Sequence, residues 1–383
     1  MINSQHIYQD GHWAPGIQAN HNAQLVLLFG SRQLAADQAI RSQISSHFPN
    51  AEIMGCTTSG EVIDTQIYDE SLCLTAIEFS RSQVKVHTVD INNAPKDAAK
   101  TLAEHFNQEG LKSVFVLSDG QMVNGTDLTN TLQDILPEGT IITGGLAGDG
   151  TNFSETILWH NSDYGSGKII GCGFYGDHLQ VNHGSMGGWD SFGPKRLITK
   201  SQDNILYSVD NKPALDLYKT YLGEHAKDLP ASALLFPLLI TGNQDKPEVI
   251  RTILNINTDD NSMIFAGDIP EGCYAQLMKA NFDRLIDGAE SAAINAINNN
   301  LTEQQNLAEQ HDGLIIMISC VGRRLLLKQR TEEELEAVKE VFGDSNSYTG
   351  FYSYGEISPL VKGGKCGLHN QTMTITSLFE IDE

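Results

Sequence analysis

A glycine followed by a carboxylate residue recurs in this chain, each time after an apolar run. Four of these pairs have related spacings: Gly60-Glu61, Gly148-Asp149, Gly267-Asp268 and Gly355-Glu356. The interval from 60 to 148 equals that from 267 to 355, at 88 residues, and the intervals from 60 to 267 and from 148 to 355 are both 207. These spacings predict an internal duplication, with two related halves that each hold two related units. We expect a ligand site between the halves, where binding sites commonly lie.

Strand-like and helix-like segments alternate along both halves. Continuous apolar runs at 24–30 and 313–319 are typical of strands buried on both faces. Residues 71–79 alternate between apolar and polar as half-buried strands do, and residues 34–47 have helical spacing. The order predicts an α/β (α+β) fold of two related domains, each with mixed sheets layered with helices.

One helix between the halves suggests where the domains meet. Pro213 stands at its start and Gly223 follows its end, an arrangement that suits helix caps. We place the boundary at the C-terminus of this helix. The predicted domains are therefore 1–222 and 223–383.

Charge and composition narrow the class of protein. The 383 residues include 25 Lys and Arg against 48 Asp and Glu, a net charge of -23 that repels phosphate backbones and anionic membranes. We expect no nucleic-acid partner, and the chain contains no run of about 18 apolar residues that would span a membrane. The six cysteines form no CxxC pair, and the first residues lack the pattern of a signal peptide. These features favour a cytoplasmic protein.

Familiar catalytic motifs are missing from the sequence. It has no GxSxG, HExxH or Walker loop, and the glycine-rich segment 144–150 lacks the GxGxxG spacing. We therefore predict a binding protein and not an enzyme. The carboxylates of the glycine-acid pairs could form a charged ligand cage, or they could hydrogen-bond to their own turns.

The segment 183–196 combines the residue types that a haem site needs. A haem requires an axial donor, apolar walls and cations for its propionates. The candidates for these roles are His183, Met186, Trp189, Phe192, Lys195 and Arg196. Alternatively, the aromatic side chains of this glycine-rich stretch cover a surface between domains.

Three further residues are candidates for ligand binding. His369 is a second candidate for an axial ligand, or a member of a polar network beside Asn370 and Gln371. No pair of histidines shows the spacing typical of metal ligands. Arg323 and Arg324 could bind a carboxylate in a bidentate manner, or they could pair with the surplus of acids.

Five separate blocks of the sequence are informative when taken together: Gly55-Cys-Thr-Thr-Ser-Gly-Glu61, Gly144-Gly-Leu-Ala-Gly-Asp149, Ser319-Cys-Val-Gly-Arg-Arg324, Gly350-Phe-Tyr-Ser-Tyr-Gly-Glu356 and Leu368-His-Asn-Gln-Thr-Met373. In this order they resemble the FIST sensory family. The resemblance covers nearly the whole chain. It implies a FIST N-like sensory domain at 1–222 and a FIST C-like domain at 223–383, and a role in sensing small molecules for bacterial signal transduction.

The resemblance also implies a ligand and a partner. Stand-alone bacterial proteins similar to this one include haem proteins that sense nitric oxide and act on histidine kinases. By that likeness we expect haem b, with His183 as the iron ligand and His369 as the alternative, and a separately encoded histidine kinase in a two-component system. A homodimer is also compatible with it. The alternative is a haem-free sensor of a small metabolite such as an amino acid, in which Arg323 or Arg324 takes the carboxylate and a turn acid takes the amine.

Overall fold

The structure is a computed structural model, which describes residues 1–92, 94–242, 248–298 and 312–381. Its strands are β1 (Ile2–Gln9), β2 (His12–Ala14), β3 (Leu25–Gly30), β4 (Glu52–Thr57), β5 (Glu61–Ile63), β6 (Gln66–Tyr68), β7 (Leu72–Glu78), β8 (Gln83–Asp90), β9 (Leu111–Ser118), β10 (Ile141–Leu146), β11 (Leu158–His160), β12 (Asp163–Gly165), β13 (Lys168–Tyr175), β14 (Leu179–Met186), β15 (Asp190–Gln202), β16 (Ile205–Val209), β17 (Lys212–Pro213), β18 (Leu238–Thr241), β19 (Val249–Arg251), β20 (Ile253–Asn257), β21 (Ser262–Phe265), β22 (Tyr274–Lys279), β23 (Leu314–Cys320), β24 (Ser347–Ser353), β25 (Gly355–Pro359), β26 (Cys366–His369) and β27 (Met373–Glu380). Its α-helices are α1 (Arg32–Ala36), α2 (Gln38–His47), α3 (Pro95–Phe106), α4 (Gly125–Ile135), α5 (Ala214–Leu222), α6 (Phe282–Asn298), α7 (Val321–Leu327) and α8 (Thr331–Phe342).

One arrangement of four strands occurs three times in the chain. Two strands run parallel in each case: β3 with β4, β9 with β10, and β23 with β24. The first strand of each pair also has an antiparallel neighbour, which is β7, β13 or β27. That neighbour pairs in turn with β1, β8 or β14. We call these sets the first, second and third units.

Local sequence accounts for the elements of each unit. Parallel neighbours need a crossover connection, and helices α2, α4 and α8 supply it. The central strands β3 and β23 are buried along their whole length, which explains their continuous apolar sequences. Helix α2 begins where the Asp37 side chain accepts hydrogen bonds from two backbone amides, and Asn124 does the same for α4.

The three units are interlocked through hairpins. After β4, β10 or β24 the chain passes a glycine-acid pair and then pairs with a strand of another unit. Strand β5 joins β24, β11 joins β4, and β25 joins β10, so that each unit adds a hairpin to a neighbouring sheet. The predicted fold class, α/β (α+β) with mixed sheets layered with helices, is confirmed.

The repeat in the sheets differs from the two-by-two duplication that the spacings predicted. Only the pairs at 60–61, 148–149 and 355–356 lead into the interlocking hairpins. Gly267-Asp268 follows β21 and lies in an insertion between β14 and α6. The third unit is interrupted by this insertion, so equal intervals along the chain do not join equivalent positions.

The insertion forms an antiparallel barrel. Its strand order is β19-β18-β22-β15-β16-β21-β20, with β17 paired to β16. The strands at the two ends of this order, β19 and β20, follow each other in the chain with Thr252 alone between them, so that the strands enclose one core. Helix α5 packs on the barrel, and Ile198, Leu215 and Phe265 belong to one apolar core. Strands from both sides of residue 222 therefore share one barrel, while the domain boundary at 222/223 stays a prediction.

Candidate functional site

A cavity of about 620 Å³ lies between the barrel, helix α4 and the β25–β26 hairpin. It is therefore built from segments far apart in the sequence. The polar and charged residues of its wall are Thr126, Thr129, Asn130, Arg251, Asp268, Lys365 and His369. Its size falls in the range of common small-molecule sites.

The side chain that the crossover helix places near the neighbouring hairpin differs between the three units. In the first unit, Arg41 of α2 covers the ring of Tyr164 in β12, with its guanidinium carbon 3.4 Å from the ring centroid. In the third unit, Lys339 of α8 is 2.8 Å from the Asp64 carboxylate beside β5. Arg41 and Asn130 occupy corresponding positions along the chain: Arg41 lies 11 residues before the start of β4 (41 to 52), and Asn130 lies 11 residues before the start of β10 (130 to 141). Asn130 lines the cavity, and its side chain is much shorter than that of arginine.

Arg251 is the buried charge of this cavity. It is 5 % exposed; its Nε donates to the Asp268 carbonyl at 3.2 Å and its Nη1 to the Leu368 carbonyl at 2.9 Å. Among the residues that the structure describes, no carboxylate lies within ion-pair distance of this guanidinium. Burial lowers the pKa of Arg251 to about 10, whereas the negative charge of the nearby Asp268 raises it. The guanidinium therefore remains protonated at neutral pH. A buried cation with no carboxylate in ion-pair contact among the described residues favours an anionic ligand, because a buried charge is stabilised by a direct partner.

Asp268 places a carboxylate beside Arg251. Its Oδ1 accepts a hydrogen bond of 2.7 Å from the Asn124 amide, and its backbone N–H donates to the Thr126 hydroxyl at 3.3 Å. A side chain at Gly267 would approach the Arg251 guanidinium carbon to 3.1 Å, so the turn needs glycine to pack this closely. The Gly267-Asp268 pair thus connects the barrel to the N-terminus of α4.

His369 and Lys365 have different roles in the cavity wall. His369 is buried, and its Nε2 lies 2.7 Å from the Ser358 carbonyl, to which it donates. Burial lowers the pKa of His369 to about 4, so its imidazole is neutral at physiological pH. Lys365 is exposed at the rim and gives the cavity a second cation.

The carboxylates of two other glycine-acid pairs are bound inside the protein. Glu61 accepts hydrogen bonds from the hydroxyls of Thr58 and Ser71 at 2.6 and 2.7 Å. Glu356 accepts from Ser353 at 2.8 Å and from the Thr372 hydroxyl at 2.9 Å. Burial raises the pKa of each glutamate to about 7. These acids hydrogen-bond to their own surroundings and do not form a ligand cage.

The residues of segment 183–196 do not surround a common cavity. His183 is buried in β14, where it bonds to the Pro359 backbone. Trp189 packs with Met278 and Leu285, and its Nε1 donates to the Gln371 carbonyl at 2.9 Å. Met186 is exposed, whereas Phe192 contacts Phe236, Lys195 lies 3.8 Å from Glu248, and Arg196 donates to Asp210 and Tyr221.

This arrangement does not fit a haem. The proposed donor, walls and propionate cations point to separate neighbours, and His369 already uses its Nε2 within the protein. Across the described ranges, no three His, Cys, Asp or Glu side chains are grouped to hold a metal ion. Trp189 instead covers the junction between the barrel and the third unit, whereas Phe192 packs against the core of the barrel.

Arg323 and Arg324 are both engaged with acids. Arg323 is fully buried, and its Nε and Nη2 donate to the Glu334 carboxylate at 3.0 and 2.7 Å. Its Nη1 donates to the Gly187 carbonyl, which joins the start of the insertion to the third unit. Arg324 binds the Asp69 carboxylate through both of its terminal nitrogens. Neither of these arginines lines the cavity, whereas Arg251 does.

Comparisons with known proteins agree with the blocks recognised in the sequence. The FIST N domain model matches residues 24–212 and the FIST C domain model matches residues 214–359. The chain belongs to the FIST domain family. FIST domains are sensory domains of signal transduction that bind small ligands.

Two individual proteins also resemble the chain. An uncharacterised protein of Methanocaldococcus jannaschii is 22 % identical over an alignment 381 residues long. The alignment covers 89 % of this chain and 70 % of that protein. A crystal structure of a chorismatase aligns over 98 % of both chains at 9 % identity, with a TM-score of 0.37, a likeness too low to support a conclusion. No helix in the described part of the FIST protein is long and apolar enough to cross a membrane.

Proposed function

We propose that this FIST protein is a sensor, without chemistry of its own, whose ligand is a small metabolite that carries a carboxylate. The observation that supports this proposal is Arg251, a buried cation in the wall of a cavity with no carboxylate partner among the described residues. The ligand carboxylate would bind the guanidinium. Amino acids are the first class to test, because Asp268 stands beside Arg251 and could accept an ammonium group.

The contacts of Arg251 also suggest how binding becomes a signal. The guanidinium joins the barrel to the β25–β26 hairpin through the Asp268 and Leu368 carbonyls. A ligand that takes over part of these hydrogen bonds changes how the barrel sits on the hairpin, and the hairpin pairs with β10 of the second unit. A sensor needs two states that the ligand binds with different affinity. We propose that a separately encoded cytoplasmic histidine kinase reads this change.

Calorimetric titration tests the proposed site. Wild-type protein is titrated with amino acids and with short carboxylates, and Arg251→Gln is expected to weaken binding roughly 10- to 100-fold, since hydrogen bonds to charged groups contribute about 1.5–3 kcal/mol. Arg284→Gln is a matched control, because Arg284 is 60 % exposed and pairs with Asp190 away from the cavity. Unchanged affinity in Arg251→Gln would exclude this residue as the carboxylate site.

A second variant covers the case in which Arg251→Gln does not fold. Asn130 is exposed, and the first unit tolerates a large side chain at the corresponding position. Asn130→Trp should therefore obstruct the part of the cavity beside α4 without disturbing the core and should weaken binding. If Asn130→Trp binds carboxylates like the wild type, the ligand lies elsewhere.

The haem b and nitric oxide hypothesis remains a prediction from the family resemblance. No grouping of described residues favours it, and its test is the absorption spectrum of protein produced with a haem precursor.

A further inference from the structure

The cavity wall is largely apolar away from Arg251. The residues that form this part of the wall are Ile240, Val249, Pro270, Leu360, Val361 and Leu368. A volume of about 620 Å³ corresponds to roughly 20 water molecules at about 30 Å³ each. A single small amino acid would leave most of this apolar surface in contact with water, which is unfavourable.

Val361 extends the apolar wall to the mouth of the cavity. It lies in the loop between β25 and β26 and is 66 % exposed, although it lines the cavity. Lys365 in the same loop is also exposed at the rim. The site therefore combines three parts: the buried cation of Arg251, an apolar wall, and the solvent-exposed side chains of Val361 and Lys365 at the rim.

We propose, on the basis of the carboxylate-binding function above, that the ligand is amphipathic: a carboxylate attached to an apolar body of several carbon atoms. The carboxylate binds Arg251, and the apolar body lies along Ile240 and Val249. Its far end covers Val361. The site therefore selects hydrophobic carboxylic acids over polar amino acids of similar charge.

A series of straight-chain carboxylates measures the contribution of the apolar body. Titrations use acids of about 2 to 10 carbon atoms below their micelle-forming concentrations, together with the alcohol of each length. Affinity should rise by about fourfold for each methylene that becomes buried, equivalent to about 0.8 kcal/mol. The alcohols should bind at least about tenfold more weakly than the acids, because they do not engage the charge of Arg251.

A pair of variants tests where the apolar end of the ligand lies. Val361→Ser should weaken the binding of the longer acids about fivefold and leave that of the shortest acids unchanged. Ile2→Ser is the matched control, because Ile2 is 63 % exposed and lies in β1, outside the cavity wall. The control should bind every acid like the wild type.

The outcomes separate this proposal from the one on which it rests. If short carboxylates or polar amino acids bind as tightly as the longer acids, the amphipathic ligand is refuted while the carboxylate sensor stands. If Val361→Ser and Ile2→Ser weaken the long acids equally, the apolar end does not lie at Val361, and the proposed pose is refuted. If no carboxylate binds the wild type at a stoichiometry of one, the carboxylate sensor itself is refuted.

Discussion

The buried carboxyl group of Glu356 should make the stability of this protein fall as pH rises. Glu356 has no solvent exposure and is held by the Ser353 and Thr372 hydroxyls. Burial raises its pKa from 4.5 to about 7, which the hydrogen bonds and Arg323 only partly oppose. Because the folded state then binds the proton more tightly than the unfolded chain, this stabilisation is complete below pH 4.5 and is lost as pH rises towards 7.

Replacing Glu356 by Gln isolates this contribution. Glutamine keeps the shape of the protonated side chain but does not titrate. One pKa unit corresponds to 1.36 kcal/mol, so the free energy of unfolding of wild type minus that of Glu356→Gln should fall by about 2.5 kcal/mol between pH 5 and pH 8. Other titrating groups, including His369 and Glu61, occur in both proteins and largely cancel in this difference.

Urea unfolding across that pH range measures the difference. Glu336→Gln is the control, because Glu336 is exposed on α8 and its replacement should leave the pH dependence of stability unchanged. A difference between wild type and Glu356→Gln that stays constant or rises from pH 5 to pH 8 would show that the folded protein keeps Glu356 ionised. Hydrogen bonds and Arg323 would then outweigh burial in setting the pKa of this group, and the reasoning from burial would be wrong.

Two further predictions concern the residues that the sequence singled out. Arg323→Met leaves the Glu334 carboxylate buried without its cation, and we expect the free energy of unfolding in urea to fall by about 3–5 kcal/mol. Arg32→Met, which removes an ion pair at the surface, is the control and should change the free energy of unfolding little. Equal losses in the two variants would contradict the importance of the Arg323–Glu334 pair. The haem hypothesis predicts that protein produced with a haem precursor shows a Soret band that shifts with nitric oxide and is lost in His183→Ala, whereas the observed arrangement of these residues predicts a colourless protein. A colourless wild type would refute that hypothesis, and an unchanged band in His183→Ala would refute His183 as the ligand.

Several features of the fold could be predicted from the sequence because each depends only on residues that are close together in the chain. The apolar runs of β3 and β23 identify buried strands, since such segments have no face that suits water. The order of short blocks along the chain was enough to recognise the FIST family, which the domain models confirm. The glycine-acid pairs also marked real turns, three of which lead into the interlocking hairpins.

The site could not be predicted in the same way. Arg323 follows strand β23 and Arg251 ends strand β19. No pattern in the neighbouring sequence distinguishes the arginine that pairs with Glu334 from the arginine that lines the cavity. His183 and Trp189 have the chemistry of a ligand site, but His183 is buried in β14 against Pro359 and Trp189 is packed in the junction of the barrel and the third unit.

The sequence by itself determined the strands, the turns and the family of this protein, because apolar patterning and glycine act over a few residues. The tertiary structure alone decided that the units number three, that the hairpins cross between them, and that Arg251 lacks a carboxylate partner among the described residues. Those properties depend on which distant segments meet: β10 with β25, and the turn at Asp268 with α4. Burial and charge pairing depend on these long-range contacts, and so the candidate site could be recognised only in the folded chain.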